Sequence, residues 1–417
     1  MGGPPEHPVR SAPRRRENLP ALTGARFLAA LAVVLFHFGY RLRIPAPWSR
    51  IADGPAAVAF FFVLSGFVLT YNYETWFRSG VEPAKYARFL RLRIARIYPM
   101  HLVSLLLVTP LTLWAFFRHP GLVNQLTERP MTDGSLAASW LANLALVMVY
   151  VPRPSFIMPW NPPAWSIAAE LFFYLLLPFI LAGLGRLASR RSILFAIGAL
   201  YCGQIASLVV GAKLLGLTGT GPHPWYSFNL SLYGMPPFRL WEFTIGCALG
   251  LLFLRRPGTV DDGGRKGLVT RTALIAGSFT LVAGVLLVPP IEGSLAAWGM
   301  MIRYYSLFTL PFAVIIYTLV AGPSLFDRLL RARPLVFLGE ASYSFYMIHW
   351  IGLTWWNDVL YLEPAATWGL VGAMVLLSAA FHSFIEKPAR SWIAGDRSRL
   401  TGAPQQGARA RAATDAA

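Results

Sequence analysis

PALTGARFLAALAVVLFHFG, residues 20–39, is an apolar run interrupted by two ionisable side chains, Arg26 and His37. Twenty helical residues rise about 30 Å, the thickness of a bilayer's hydrocarbon core, so the run is long enough to cross a membrane. Comparable stretches recur at 55–73, 97–117, 167–185, 192–212, 235–254, 272–290, 301–321, 340–356 and 364–384, with no soluble-looking gap between them. Composition agrees, since 55% of residues are hydrophobic and only 13% charged, a balance rare in a water-soluble chain of 417 residues. The reading is all-α: a polytopic transmembrane helix bundle of about ten spans, forming one membrane domain over 19–392. Basic tails at 1–18 and 393–417 carry no apolar periodicity and read as disordered and cytoplasmic. Arg10, Arg14, Arg15 and Arg16 before the first run look like a signal peptide, but the run continues to Tyr40 without a small-residue cleavage pattern, so it reads as a retained span.

The formal net charge of +18 raises the question of nucleic acid. The basic residues, however, fall in short clusters between apolar runs, where the positive-inside rule places them, and no nucleic-acid partner is expected. A further apolar segment, 136–151, is marginal in length. If it does not cross, the N-terminal tail and the clusters Arg78–Arg96, Arg186–Arg191, Arg255–Arg271 and Arg328–Arg333 all fall on one side with the C-terminal tail. That arrangement predicts one extra short or re-entrant helix, both termini cytoplasmic, and a multi-pass membrane protein. Arg41, Arg43 and Arg50 stand against the rule on the outer side. The connector 256–267 reads as solvated, and no internal repeat is visible. Cys202 and Cys247 each lie in an apolar run, so neither a disulfide framework nor a metal site is expected.

Ionisable groups inside a bilayer cost a few kcal/mol each and mark candidate function. Arg26 and His37 are eleven residues apart, which returns a helix to nearly the same face about 16 Å further along. Snorkelling to the two interfaces would account for the same pair. Arg93 and Arg96, three apart before Ile97-Tyr98-Pro99, form a guanidinium pair suited to phosphate groups, although positive-inside anchoring also explains basic residues there. In Trp165-Ser166-Ile167-Ala168-Ala169-Glu170, a Pro-rich turn leads into a span whose first turns carry a carboxylate, with Tyr174 one turn on. An acidic residue there is a favourable dipole partner, or it meets His37 at the outer side as an acid/base pair. Ser342, Tyr346 and His349 share a face by spacings of four and three, reading as a cavity lining or as interhelical hydrogen bonding. Arg239 and Glu242 read as a structural pair.

Together these segments resemble the acyltransferase-3 family of bacterial integral-membrane O-acyltransferases, from Leu22 to about Arg390. Arg26 and His37 match the family's first-helix spacing, and Phe61 to Phe67 its second helix. Arg93, Arg96, Ile97 and Pro99 match its Arg-x-x-Arg-Ile-x-Pro pattern. Trp165, Ser166, Ile167 and Glu170 match its Trp-Ser-Leu-x-x-Glu segment, 342–350 its late Ser-Tyr-Ser helix, and Glu386 to Arg390 its closing Glu-Lys-Pro-Ala-Arg. Leu171 and Phe172 depart from the second Glu and the Gln of many members and look more like the macrolide-modifying branch. The fused extracytoplasmic hydrolase-like domain of some relatives is not expected here, which implies a separate acyl-delivery partner or direct transfer.

The resemblance implies transfer of an acyl group, acetyl in the first instance, from acyl-CoA to a hydroxyl of a cell-envelope or exported carbohydrate or other glycosylated acceptor. A macrolide or other secondary metabolite is the alternative acceptor. Arg26, Arg93 and Arg96 would hold the CoA phosphates. His37 would act as general base or transient acyl carrier, with Glu170 orienting it. Trp165, Ser166, Tyr174, Ser342, Tyr346 and His349 would line the cavity. Membrane lipid surrounds the bundle, the resemblance implies the bacterial cytoplasmic (inner) membrane, and no tightly bound cofactor is implied. A proton-coupled carrier also uses intramembrane Arg, His and Glu, and a scaffolding role needs none of them.

Overall fold

The computed structural model of the chain describes residues 18–119, 130–151, 153–217, 232–256, 264–288, 296–360 and 363–395. The two tails and most of the 256–267 connector fall outside them. The helices start where the sequence supplies a start signal. Proline stands in the first turn of α1 (Pro20–Phe38), α2 (Gly54–Phe77) and α3 (Pro83–Arg118), where its missing N–H costs nothing. Asp53 additionally caps α2 by accepting from the Ala56 N–H at 2.8 Å. A Thr132/Ser135 capping box opens α4 (Asp133–Leu144). The remaining long helices are α5 (Trp165–Gly185), α6 (Arg190–Leu214), α7 (Pro236–Leu254), α8 (Arg265–Leu287), α9 (Thr309–Ala321), α10 (Arg333–Leu360) and α11 (Pro364–Phe381). A π-helical turn, His382–Glu386, joins α11 to α12 (Lys387–Ala394). No strand occurs among the described residues.

Nine of the described helical segments are long and apolar enough to cross a membrane. The tenth expected span lies in α10, whose 28 residues rise about 42 Å but whose polar stripe dilutes its hydropathy. The chain is a multi-pass membrane protein. Helix α4 has only 12 residues, about 18 Å, and does not cross. The chain that follows it folds back into the bundle. Trp160 is buried and donates to Ser139 Oγ at 2.9 Å, Asn161 Nδ2 donates to the Met347 carbonyl at 2.9 Å, and Thr112 Oγ1 donates to the Pro159 carbonyl at 2.5 Å. Irregular backbone at this depth is tolerated because protein groups satisfy it. Helix α5 therefore begins inside the protein.

With α4 not crossing, the basic connections meet at one end of the bundle. Arg190 donates to the Leu252 carbonyl at 3.0 Å, Arg255 to the Leu187 and Gly185 carbonyls, and Arg256 to the Val320 carbonyl at 3.3 Å. At the opposite end Arg50 donates to the Leu287 carbonyl at 3.2 Å, and Arg303 to those of Val288 and Leu286 at 2.9 and 2.6 Å. Arg50, against the charge rule by sequence, thus serves the orphan carbonyls at the C-terminus of α8.

Lipid offers helices no hydrophobic reason to associate, so close approach depends on small residues. The α2–α7 seam uses them fully. A Cβ on Gly66 would lie 2.0 Å from the Phe243 carbonyl oxygen, and one on Gly246 2.1 Å from that of Val63. Helix α1 meets α10 in the same way, since a Cβ on Gly339 would lie 1.9 Å from the Thr23 carbonyl oxygen. These contacts set α2 and α7 at the centre, while α6 and α8 turn side chains such as Phe195 and Leu281 outward to lipid.

Candidate active site

Helices α1, α2, α3, α5 and α10 surround a cavity of about 150 Å³. Eight of the eleven residues singled out by sequence line it: Arg26, Arg93, Arg96, Ser166, Glu170, Tyr174, Ser342 and Tyr346. The eleven-residue spacing on α1 keeps Arg26 in the cavity and carries His37 beyond it toward the far end.

Each arginine is held differently. Arg93 donates from Nη2 to Tyr73 Oη at 3.0 Å and lies 5.2 Å from the Tyr73 ring centroid. Arg96 forms an ion pair with the buried Glu386 and stacks over the Tyr343 ring at 5.5 Å. Glu386 also accepts from Ser344 Oγ at 2.7 Å and lies 3.0 Å from His382 Nδ1, so α3, α10 and the π-helical turn after α11 are tied at one point. Arg26 makes no ion pair or side-chain hydrogen bond among the described residues and is the least committed of the three. Glu170 accepts from Tyr174 Oη at 2.5 Å, one turn along α5. Tyr73 escaped the sequence reading because its partner lies on the next helix. Glu386 was visible only as part of the closing motif.

The expected meeting of His37 and Glu170 is not what the structure brings together. Helix α5 starts within the bundle, with Ser166 Oγ 2.9 Å from Tyr346 Oη and Tyr346 donating to the Pro163 carbonyl at 3.0 Å. Glu170, four residues on, therefore sits about 6 Å nearer the basic end, in the cavity with the arginines. The group that meets His37 is His349, with His37 Nδ1 and His349 Nε2 3.0 Å apart. Phe36 and Trp350 flank the His37 ring at 5.2 and 5.3 Å between centroids. His349 is wholly buried, and its Nδ1 lies 2.5 Å from the Tyr346 carbonyl. Trp165 stands outside the cavity lining, packed against Phe62 and Tyr233 at 6.0 and 4.8 Å between centroids. Arg239 and Glu242 form a fully buried pair at 2.9 Å, with Arg239 set against Tyr233, Tyr305 and Phe62.

The bundle of membrane-crossing helices thus holds a charged cavity and, further along α1 and α10, an imidazole pair of which His349 is buried and His37 partly so. The chain matches the acyltransferase-domain family over residues 19–383 and belongs to it; the protein is an acyltransferase. It is similar to acyltransferase MdmB of Streptomyces mycarofaciens, 28% identical across 90% of this chain and 92% of that one. It is also similar to peptidoglycan O-acetyltransferase OatA of Listeria monocytogenes, 25% identical across 90% of this chain and 56% of that one. O-acetyltransferase OatA of Staphylococcus aureus is 26% identical across 89% of this chain and 57% of its own. The chain thus spans nearly all of MdmB and a little over half of each OatA protein. No solved structure matches it.

Proposed function

We propose that the protein moves an acetyl group from acetyl-CoA, presented at the basic end of the bundle, to a hydroxyl of a cell-envelope carbohydrate. The observation that carries this reading is the convergence of Arg26, Arg93 and Arg96 on one cavity below His37. Guanidinium groups in fork geometry suit phosphate oxygens, and three of them at one mouth suit a donor with several phosphates. A cavity of about 150 Å³ corresponds to roughly five waters, room for the thioester end of the donor while its nucleotide stays outside among Arg88 and Arg91. The basic end is then cytoplasmic, where the donor is made, and both termini share that side of the bacterial inner membrane. Relatives named as peptidoglycan O-acetyltransferases support an acetyl group and a carbohydrate acceptor.

In the transfer, the acceptor oxygen attacks the thioester carbonyl carbon as His37 takes the hydroxyl proton. The C–S bond breaks and the thiolate leaves with CoA, regaining a proton. In a second form of the same chemistry, His37 first takes the acetyl group and passes it to the acceptor. Glu170, Tyr174, Ser166 and Ser342 shape the passage between donor and imidazole. Leu171 and Phe172, which follow Glu170 where many members carry acid and amide, favour a second acceptor class, a macrolide-type secondary metabolite.

Purified protein in lipid nanodiscs, given acetyl-CoA and a glycan acceptor, is expected to release free CoA in step with acetylated product. His37→Ala is expected to lose about 10³-fold or more in that rate, in the range of a positioned base. Transfer undiminished in His37→Ala overturns the reading.

A further inference from the structure

We infer that His349 is a positioning residue that fixes the tautomer of His37 and leaves His37 Nε2 as the atom that accepts the proton. The inference rests on the role of His37 proposed above and adds a second residue to it. Two hydrogen bonds in series carry the argument.

The chain begins at the Tyr346 carbonyl, 2.5 Å from His349 Nδ1. A carbonyl oxygen only accepts, so the hydrogen in that bond belongs to His349 Nδ1. A neutral imidazole carries one N–H, and His349 Nε2 is therefore an acceptor. That nitrogen lies 3.0 Å from His37 Nδ1, and the two rings are tilted by only 27°, so an in-plane lone pair can point along the bond. The hydrogen between the rings must then come from His37 Nδ1; the Val33 carbonyl, four residues back on α1, is a second acceptor for the same ring. His37 Nε2, on the opposite edge of the ring, is left with the lone pair. As His37 gains a proton during transfer, its Nδ1–H bond to His349 becomes charge-assisted and strengthens, so the partner favours the protonated state when it forms.

Packing holds this arrangement in register. His349 is wholly buried, and the Tyr346 side chain is fixed by Ser166 and the Pro163 carbonyl, so the carbonyl that orients His349 sits on a constrained stretch of α10. The glycine contact between α1 and α10 sets the separation of the two histidines from the other end. The arrangement follows the common rule that a working imidazole has its second nitrogen held by another group. Here that group is a neutral ring in place of a carboxylate.

Side-chain length provides the test. The amide of Gln reaches the position of a histidine Nε2 and can accept from His37, whereas that of Asn reaches only the Nδ1 position, by the Tyr346 carbonyl. His349→Gln is expected to keep kcat within about tenfold of wild type. His349→Asn and His349→Leu are expected to lose about 10²-fold in kcat or more, with the KM for acetyl-CoA within about twofold, in the range reported for removing an orienting partner. Equal loss in the Gln and Asn variants, or loss that only follows the amount of folded protein, overturns the inference. If His37→Ala is inactive while His349→Asn matches wild type, the role of His37 stands and that of His349 falls. If His37→Ala is fully active, the underlying reading fails. Nitrogen NMR of histidine-labelled wild-type protein needs no His349 variant: the resonances lost in His37→Ala should show a protonated Nδ1 and an unprotonated Nε2, and the opposite tautomer overturns the inference.

Discussion

In the cavity at the basic end, Arg26, Arg93 and Arg96 carry permanent charge and Glu170 and Glu386 answer it; toward the far end, His37 and His349 face each other between Phe36 and Trp350, and no ion pair among the described residues involves either ring. The same helices, α1 and α10, supply both regions. Tyr346 joins them, lining the cavity with its ring and orienting His349 with its carbonyl. The difference separates two tasks. Fixed charge suits a donor whose phosphates are always ionised, and a neutral ring with a defined lone pair suits a proton that must come and go. Substitutions that touch only one region should alter one kinetic constant more than the other.

The largest effect is expected where both regions lose their common support. Gly66→Leu would place a side chain where even a Cβ comes within 2.0 Å of the Phe243 backbone, and backbone cannot step aside as a flexible side chain can. Little monodisperse protein should survive extraction into detergent, measured by size-exclusion chromatography of a fluorescent fusion. Gly277→Leu on α8, with nothing within 4 Å of its would-be Cβ, should behave as wild type in the same assay. Well-folded, active Gly66→Leu protein would show that the α2–α7 seam does not hold the site together.

Next in size is the separation of binding from chemistry. Arg26→Ala and Arg93→Ala should each raise the KM for acetyl-CoA by about 10- to 100-fold, corresponding to the roughly 1.5–3 kcal/mol of a hydrogen bond to a charged group, while kcat changes by a few-fold. Initial-rate measurements of CoA release check this. If kcat falls at unchanged KM, the arginines act on the reacting atoms and the division between the two regions breaks down.

Much of this was readable from the sequence, for identifiable reasons. Spans are written locally: the expected 20–39 and 235–254 appear as Pro20–Phe38 and Pro236–Leu254, because hydrophobic length and start signals both lie within the segment. The expected 97–117 understates its helix, which runs from Pro83 to Arg118, since a membrane ruler stops at the basic cluster and helical hydrogen bonding does not. Arg26 and His37 share a helix, so their spacing was legible. The partner of His37 was not, because His349 lies 312 residues away and no local period records that approach. Glu170 was misplaced in depth for a related reason. Its level depends on how far the 145–164 segment sinks into the bundle, which side-chain bonds such as Asn161 to Met347 decide. Arg96 was found by its spacing to Arg93, but its ion pair with Glu386 joins chain segments far apart in sequence.

The smallest effect tests how finely the cavity is tuned. Arg93 is held to Tyr73 in two ways, by a 3.0 Å hydrogen bond to the hydroxyl and by its guanidinium lying 5.2 Å from the ring centroid. Tyr73→Phe removes the first and keeps the second, along with the packing of the ring against Trp76 and Phe89. A net hydrogen bond of this kind is worth about 1 kcal/mol, and the cation–π contact is of similar size, so about half the tether should remain. The KM for acetyl-CoA should rise about two- to fivefold with kcat unchanged. In an Arg93→Ala background the same substitution should have no further effect, because the group that Tyr73 positions is gone. Additive effects in the double variant would mean that Tyr73 meets the donor itself, and the charged region would then extend one turn further along α2, beyond Leu69.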